Sequence, residues 1–121
     1  MRNLTLEHRK GDFNDPIAGI LNIQDAFHNR VDLLTGIRGM TREVFTRVKE
    51  TQFMGSSIKM AGLEDFIAMK IFAGGQKDIQ DVRGVLQVSG KQADLDLLKK
   101  ITAGYGKDCV VTLLKLLEEY L

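Results

Sequence analysis

Residues 63–88 read LEDFIAMKIFAGGQKDIQDVRGVLQV, and this stretch decides the fold of the second half of the chain. Apolar residues recur at helical spacing on both sides of a Gly-Gly pair, which predicts two helices with a stop between them at Gly74. The same spacing continues to the C-terminal end. The helices expected from it span residues 63–73, 78–88, 94 to about 103, and 107 or 108 onward.

The first half of the chain has a different pattern, in which short β-branched and alternating runs predict strands. The elements expected there are strands at 4–9, 17–23 and 30–34, a helix over 41–49, and a hairpin over 51–60 that turns at Gly55-Ser56 in a type II′ turn. Strands followed by helices indicate an α+β fold. We expect one domain over 1–121, with a small mixed sheet packed against the C-terminal helices.

The composition is that of a globular protein with one core. Of its 121 residues, 44% are hydrophobic and 27% are charged, and the net charge is +1, which indicates no large nucleic-acid or anionic-membrane surface. No apolar run has the length of a membrane span, and the first residues show no secretory signal. The single cysteine, Cys109, excludes an internal disulfide, so we expect a reduced, cytoplasmic protein.

Three charged positions are candidates for a functional site. Asp32 stands between Val31 and Leu33 on a predicted strand, where Asp is rare; it either faces solvent on an edge strand or holds a metal ion. Lys70 lies among apolar residues and either covers the edge of the core or points toward an anionic ligand. Lys77 lies at a helix start, where phosphate binds readily, although Gly-Gly followed by Asp is also an ordinary helix boundary.

Two longer segments resemble one family. The first runs from Arg9-Lys10-Gly11-Asp12 to Arg30-Val31-Asp32-Leu33-Leu34, and the second contains Gly62-Leu63-Glu64-Asp65-Phe66 and Gly74-Gly75-Gln76-Lys77-Asp78. Over about residues 6–90 the chain resembles bacterial nucleotidyltransferase-like proteins of the polymerase-beta superfamily. That group includes components of abortive-infection and toxin–antitoxin systems. The resemblance implies part of a nucleotidyltransferase fold and a nucleoside triphosphate as ligand.

The resemblance also implies roles for particular residues. Asp32 corresponds to the third metal-binding Asp of the family and would be catalytic, sharing a divalent ion such as Mg²⁺ with two other carboxylates. Lys70 and Lys77 correspond to positions that face the nucleotide's negative charge. Asp78 and Asp81 correspond to acidic positions of the same nucleotide-binding segment. The i,i+4 spacing of Lys77 and Asp81 also allows an ion pair between them.

The chain departs from the family pattern at its catalytic centre. No Gly-Ser turn followed by D-x-D precedes Asp32, and Asp94-Leu95-Asp96 is interpreted as a helix cap. The family usually has Arg at the position of Gly75, so a forked phosphate donor is also missing. A single carboxylate does not organise two metal ions. We therefore expect an incomplete or degenerate protein that binds Mg²⁺ only if the missing carboxylates are supplied.

Two interpretations of function follow from these observations. The first is a nucleotidyltransferase-like protein with at most residual nucleotide or metal binding. The alternative is a protein-interaction module, an antitoxin-type or regulatory partner without catalysis. Without the missing part, the sheet is expected to have an open edge and an uncovered apolar face, so a homodimer that covers this face is a further hypothesis.

Overall fold

The computed structural model describes residues 4–12 and 14–120. Met1 to Asn3, Phe13 and Leu121 lie outside the described residues, and so do the predictions that fall on them. The strands are β1 (Leu4–Lys10), β2 (Ile17–Asp25), β3 (Arg30–Ile37), β4 (Lys49–Phe53) and β5 (Ser56–Met60). The α-helices are α1 (Leu63–Ala73), α2 (Gln76–Ser89), α3 (Leu95–Tyr105) and α4 (Lys107–Tyr120). Short 3₁₀ helices span Arg42–Thr46 and Gly90–Gln92.

The predicted α+β class is confirmed, while the arrangement of the strands differs in detail. One mixed sheet was expected, whereas the strands form two antiparallel sheets, ordered β1-β2-β3 and β4-β5. Short connections between consecutive strands favour antiparallel pairing, because a parallel pair needs a longer crossover. The chain divides into two compact units at residues 40 and 41, and the single-domain interpretation stays a prediction.

The three-stranded sheet has two chemically different faces. The register pairs Leu6 with Ile23 and Ile23 with Val31, and the neighbouring row joins His8, Leu21 and Leu33. Side chains alternate between the faces of a strand, so these rows share one side of the sheet. We call this side the apolar face; it consists of Leu4, Leu6, His8, Lys10, Ile17, Gly19, Leu21, Ile23, Asp25, Val31, Leu33, Thr35 and Ile37.

The second unit is organised around its four helices. Their buried apolar side chains form one cluster, to which every helix contributes: Ile67, Ile71, Val82, Leu86, Leu98, Leu113, Leu116 and Leu117. Burying an aliphatic side chain of this size contributes roughly 1.5–3 kcal/mol relative to leaving it exposed. Apolar residues at helical spacing in the sequence thus give the core of this unit. All the residues of β4 and β5 are exposed instead.

Two predictions before α1 are wrong. The helix expected over 41–49 is only a short 3₁₀ helix, because strand β4 already begins at Lys49. Within this 3₁₀ helix, Val44 is buried and Phe45 is exposed. The hairpin turns at Met54-Gly55 and not at Gly55-Ser56. Both turn residues have positive φ, 50° and 80°, which is the pattern of a type I′ turn.

Candidate functional site

Four of the five predicted site residues come together where α1 meets α2. The junction is built by two glycines: Gly74 ends α1 with φ 72°, and its N–H donates to the Lys70 carbonyl at 3.0 Å. Gly75 is the N-cap of α2, which begins two residues earlier than predicted, and its N–H donates to Asp78 Oδ2 at 3.2 Å. This tight connection places Lys70 beside the first two turns of α2.

The charged side chains at this junction form a connected network, which we call the junction cluster: Lys70, Lys77, Asp78 and Asp81. Lys70 Nζ lies 3.0 Å from Asp81 Oδ2 and 3.4 Å from Asp78 Oδ1. Lys77 donates to the other oxygen of Asp81, which confirms the ion pair expected from their i,i+4 spacing. Lys70 Nζ also lies 5.7 Å from the centre of the Phe66 ring, within cation–π range. Each lysine is therefore held in place by at least one neighbour.

The contacts in the junction cluster favour the charged forms of Lys70 and Asp81. The carboxylate of Asp81, followed by that of Asp78, raises the pKa of Lys70 above its ordinary value. Hydrogen bonds from Lys77 and then Lys70 lower the pKa of Asp81 below its ordinary value. Two ammonium groups and two carboxylates give a formal net charge of zero. Lys77 is 80% exposed and Lys70 is 31% exposed, so both cations remain open to a ligand from solvent.

Asp32 lies in the first unit, on the edge strand β3 and on the side opposite the apolar face. Its side chain is 40% exposed, and Oδ1 accepts a hydrogen bond from Arg30 Nε at 2.8 Å. Asp32 raises the pKa of Arg30 through this hydrogen bond. Arg30 also donates to Asn22 on β2 at 3.1 Å. The geometry matches the solvent-facing alternative for this residue, with the carboxylate engaged by a guanidinium.

These residues do not fit a magnesium site. In the part of the chain that the structure describes, no three His, Cys, Asp or Glu side chains are grouped so that they could hold a metal ion. The carboxylate of Asp32 faces the cation Arg30, and the carboxylates of the junction cluster face lysines. Mg²⁺ prefers several oxygen ligands in octahedral geometry, which this arrangement of paired carboxylates does not provide.

A buried ion pair was missed by the sequence interpretation. Asp65, in the first turn of α1, is fully buried and accepts hydrogen bonds from Arg47 Nε at 2.7 Å and from Arg47 Nη2 at 2.8 Å. The two-pronged contact raises the pKa of Arg47. A groove of about 240 Å³ runs beside the pair and is also lined by Gly62 and Leu97. Asp65 was part of the motif quoted above, but its partner is 18 residues away, and no spacing rule connects them.

A buried hydroxyl lies in the same region of the second unit. Tyr105 Oη has no hydrogen-bond partner among the described residues, although its ring packs against Phe72 with ring centres 5.0 Å apart. Burial, and then the charge of Asp65, raises the pKa of Tyr105. A buried hydroxyl without a partner costs free energy, so this side chain contributes through its ring.

The comparisons with known proteins add no assignment. Neither family models, nor curated proteins, nor solved structures give a match to this chain. Within the ranges that the structure covers, no helix is long and apolar enough to cross a membrane.

Proposed function

We propose that the protein is nucleotidyltransferase-like and that its junction cluster binds the phosphates of a nucleoside triphosphate. The observation that carries the proposal is the convergence of Lys70, Lys77, Asp78 and Asp81 around one point of the helical unit. The family resemblance gives all four residues a place in its nucleotide-binding segment, and the ion pairs among them hold their side chains close together. One exposed ammonium group, on Lys77, and one half-buried ammonium group, on Lys70, suit a ligand that carries several negative charges.

Each residue of the junction cluster has a distinct part in this proposal. Lys77, which is the more exposed cation, makes the first contact with phosphate. Lys70 is oriented by Asp78 and Asp81, so its ammonium group needs little reorganisation to bind. The carboxylates set the position of the cations and limit the affinity, because phosphate must compete with them. We therefore expect weak, salt-sensitive binding.

Catalysis by this chain alone is not part of the proposal. The carboxylate of Asp32 is paired with Arg30 and fits no resident magnesium site, so we propose Mg²⁺ binding only where further carboxylates are supplied beside it. The chain alone is expected to show no nucleotidyl transfer with Mg²⁺. Incorporation of labelled nucleotide that Asp32→Ala abolishes would overturn this expectation.

The test of the proposal is a binding titration with a fluorescent nucleoside triphosphate at low ionic strength. Lys77→Gln is expected to weaken binding several-fold, because it removes one of two cations from the site. Lys99→Gln is the matched control, since Lys99 is also exposed on a helix of the same unit but is no part of the junction cluster. Equal weakening by both variants, or no binding by the unsubstituted chain, would contradict the proposal.

The apolar face favours a second candidate function, a protein-interaction module. Four large apolar side chains on this face are exposed, whereas the helices of the second unit bury such side chains in a core; the four are Leu4, Leu6, Val31 and Leu33. This function predicts a stable protein complex that is indifferent to substitution of Asp32 and Lys70. For either function we propose a cytoplasmic location, where nucleoside triphosphates are available and the thiol of Cys109 stays reduced.

A further inference from the structure

The apolar face of the three-stranded sheet is a continuous surface open to solvent. The exposed fractions of Leu4, Leu6, Val31 and Leu33 are 57%, 62%, 57% and 49%. Strands about 4.8 Å apart and residues about 3.3 Å apart give the face a footprint of roughly 14 × 26 Å, or roughly 360 Å². This footprint, which includes the polar residues of the face, is about that of the largest apolar patch on a typical monomer, and such a patch is often functional.

The charges on this face are placed at opposite ends. Lys10 lies opposite Gly19 near one end, and Asp25 lies opposite Leu4 at the other end, roughly 20 Å away along the strands. Lys10 makes no salt bridge within the described ranges. The Asp25 carboxylate accepts hydrogen bonds from the N–H groups of Phe27 and Asn29, at 2.8 and 3.0 Å, and from the Asn29 side chain at 3.0 Å, which hold it at the end of the central strand. The rows between these charges are apolar except for His8.

We propose that a second copy of this chain covers the apolar face, related by a two-fold axis that runs across the strands. This rotation places the row of Lys10 over the row of Asp25 of the partner subunit, and the reverse pair forms at the other end. The row of Leu6, Ile23 and Val31 then lies over the partner's row that contains Leu21 and Leu33. The same patch is used on both copies, as a two-fold interface requires.

Charge selects this arrangement over the other face-to-face dimer. A two-fold axis along the strands would stack Asp25, which lies on the central strand, directly on Asp25 of the partner subunit. Like charges brought together in this way disfavour the complex. The axis across the strands instead gives two contacts between opposite charges. The inference rests on the second candidate function and is independent of nucleotide binding by the junction cluster.

The size of the face sets the strength of the association. Two copies cover a combined footprint of roughly 700 Å², which is below the roughly 1,200 Å² of the smallest stable interfaces and limits the dimer to a weak, reversible complex. We therefore expect a monomer–dimer equilibrium in the micromolar range.

Sedimentation velocity of the whole chain, from low micromolar to several hundred micromolar, tests this inference. The unsubstituted chain is expected to shift from monomer to dimer over this range. Leu6→Lys should weaken the dimer roughly tenfold or more, because it places a charge in one of the two apolar rows of the contact. Thr5→Lys is the matched control, since the neighbouring residue faces the opposite side of the same strand. A monomer at all concentrations, or equal weakening by both variants, would overturn the inference.

A second pair of variants covers the case in which Leu6→Lys does not fold. Lys10→Glu places two like charges at each end of the dimer and is expected to weaken it several-fold. Arg9→Glu makes the same charge change on the opposite face and should leave the association unchanged. Circular dichroism confirms that each variant is folded. Unchanged association of folded Lys10→Glu would contradict the proposed orientation, and a monomeric chain that still binds nucleotide would refute the dimer alone.

Discussion

The buried pair of Arg47 and Asp65 gives a sharp test of how the second unit is stabilised. Arg47→Met removes the guanidinium and leaves the fully buried carboxylate of Asp65 without its partner. Breaking a buried ion pair in this way typically costs about 3–5 kcal/mol. The Arg47 side chain keeps 24% of its exposure, so water reaches the site and we expect the lower end, about 3 kcal/mol.

A loss of this size is large for the second unit. At about 0.05–0.15 kcal/mol per residue, a unit of this length has a total stability of about 4–12 kcal/mol. A change of about 3 kcal/mol lowers the melting temperature of a domain of this size by about 12–24 °C. The assay is urea unfolding followed by circular dichroism, with linear extrapolation to water.

Two further variants identify the cause of the loss. The double variant Arg47→Met/Asp65→Leu removes both charges and should recover most of the stability, because an apolar pair of similar volume often replaces a buried ion pair without loss. Arg83→Met is the control, since Arg83 pairs with Glu119 on the surface, where ion pairs contribute about 0–1 kcal/mol. If Arg47→Met costs no more than Arg83→Met, the buried pair does not stabilise this unit and the reasoning is refuted.

Three further variants test the remaining polar and turn positions. Tyr105→Phe should leave the free energy of unfolding unchanged or raise it by up to about 1 kcal/mol, because it removes a buried hydroxyl without a described partner; a loss above about 1 kcal/mol in urea unfolding would show that the hydroxyl is bonded. Met54→Asn should stabilise the hairpin by about 0.5–1 kcal/mol, because Asn tolerates the positive φ of a type I′ turn better than Met; a lower melting temperature than that of Met54→Leu would contradict this account. The pKa of Asp81 is lowered below 3.8 in the folded state, so its ion pairs stabilise the protein above about pH 4, and this stabilisation is lost as the pH falls through the lowered pKa. Asp81→Asn should therefore flatten the fall in melting temperature below about pH 5, and parallel curves for the variant and the unsubstituted chain would exclude this contribution.

The helical unit was predictable because several local signals agree. Apolar spacing located all four helices, Gly74 ended α1 as expected, and Asp94 caps α3 by accepting a hydrogen bond from the Leu97 N–H at 3.1 Å. The three strands of the first sheet were also predicted, from short alternating and β-branched runs.

The errors fall where local signals compete with pairing between segments. The apolar stripe of Val44, Phe45 and Val48 indicated a helix, but pairing of β4 with β5 ends it after one 3₁₀ helix. The observed turn lies one residue before the predicted one. Phe53 pairs with Ser56 at the end of the hairpin, so the two loop residues are Met54 and Gly55. No intrinsic preference of Met predicts that position.

The candidate site was predictable only in part, for a related reason. Ion pairs within one helix follow from spacing, as for Lys77 and Asp81, and the Gly-Gly junction brings Lys70 to the same place. Asp32 pairs with Arg30, which lies two residues away on the same side of β3, as strand alternation allows. The partner of Asp65 depends on a tertiary contact, which spacing along the chain does not contain.

A ¹⁵N-correlated NMR titration with a nucleoside triphosphate tests the role of the junction cluster most directly. We predict saturable shifts of the backbone amides of residues 74–81, and their loss when both Lys70 and Lys77 are replaced by Gln in a variant that remains folded. Unchanged spectra, or shifts that spread over other basic surfaces and persist in this variant, would contradict the assignment of phosphate binding to this cluster.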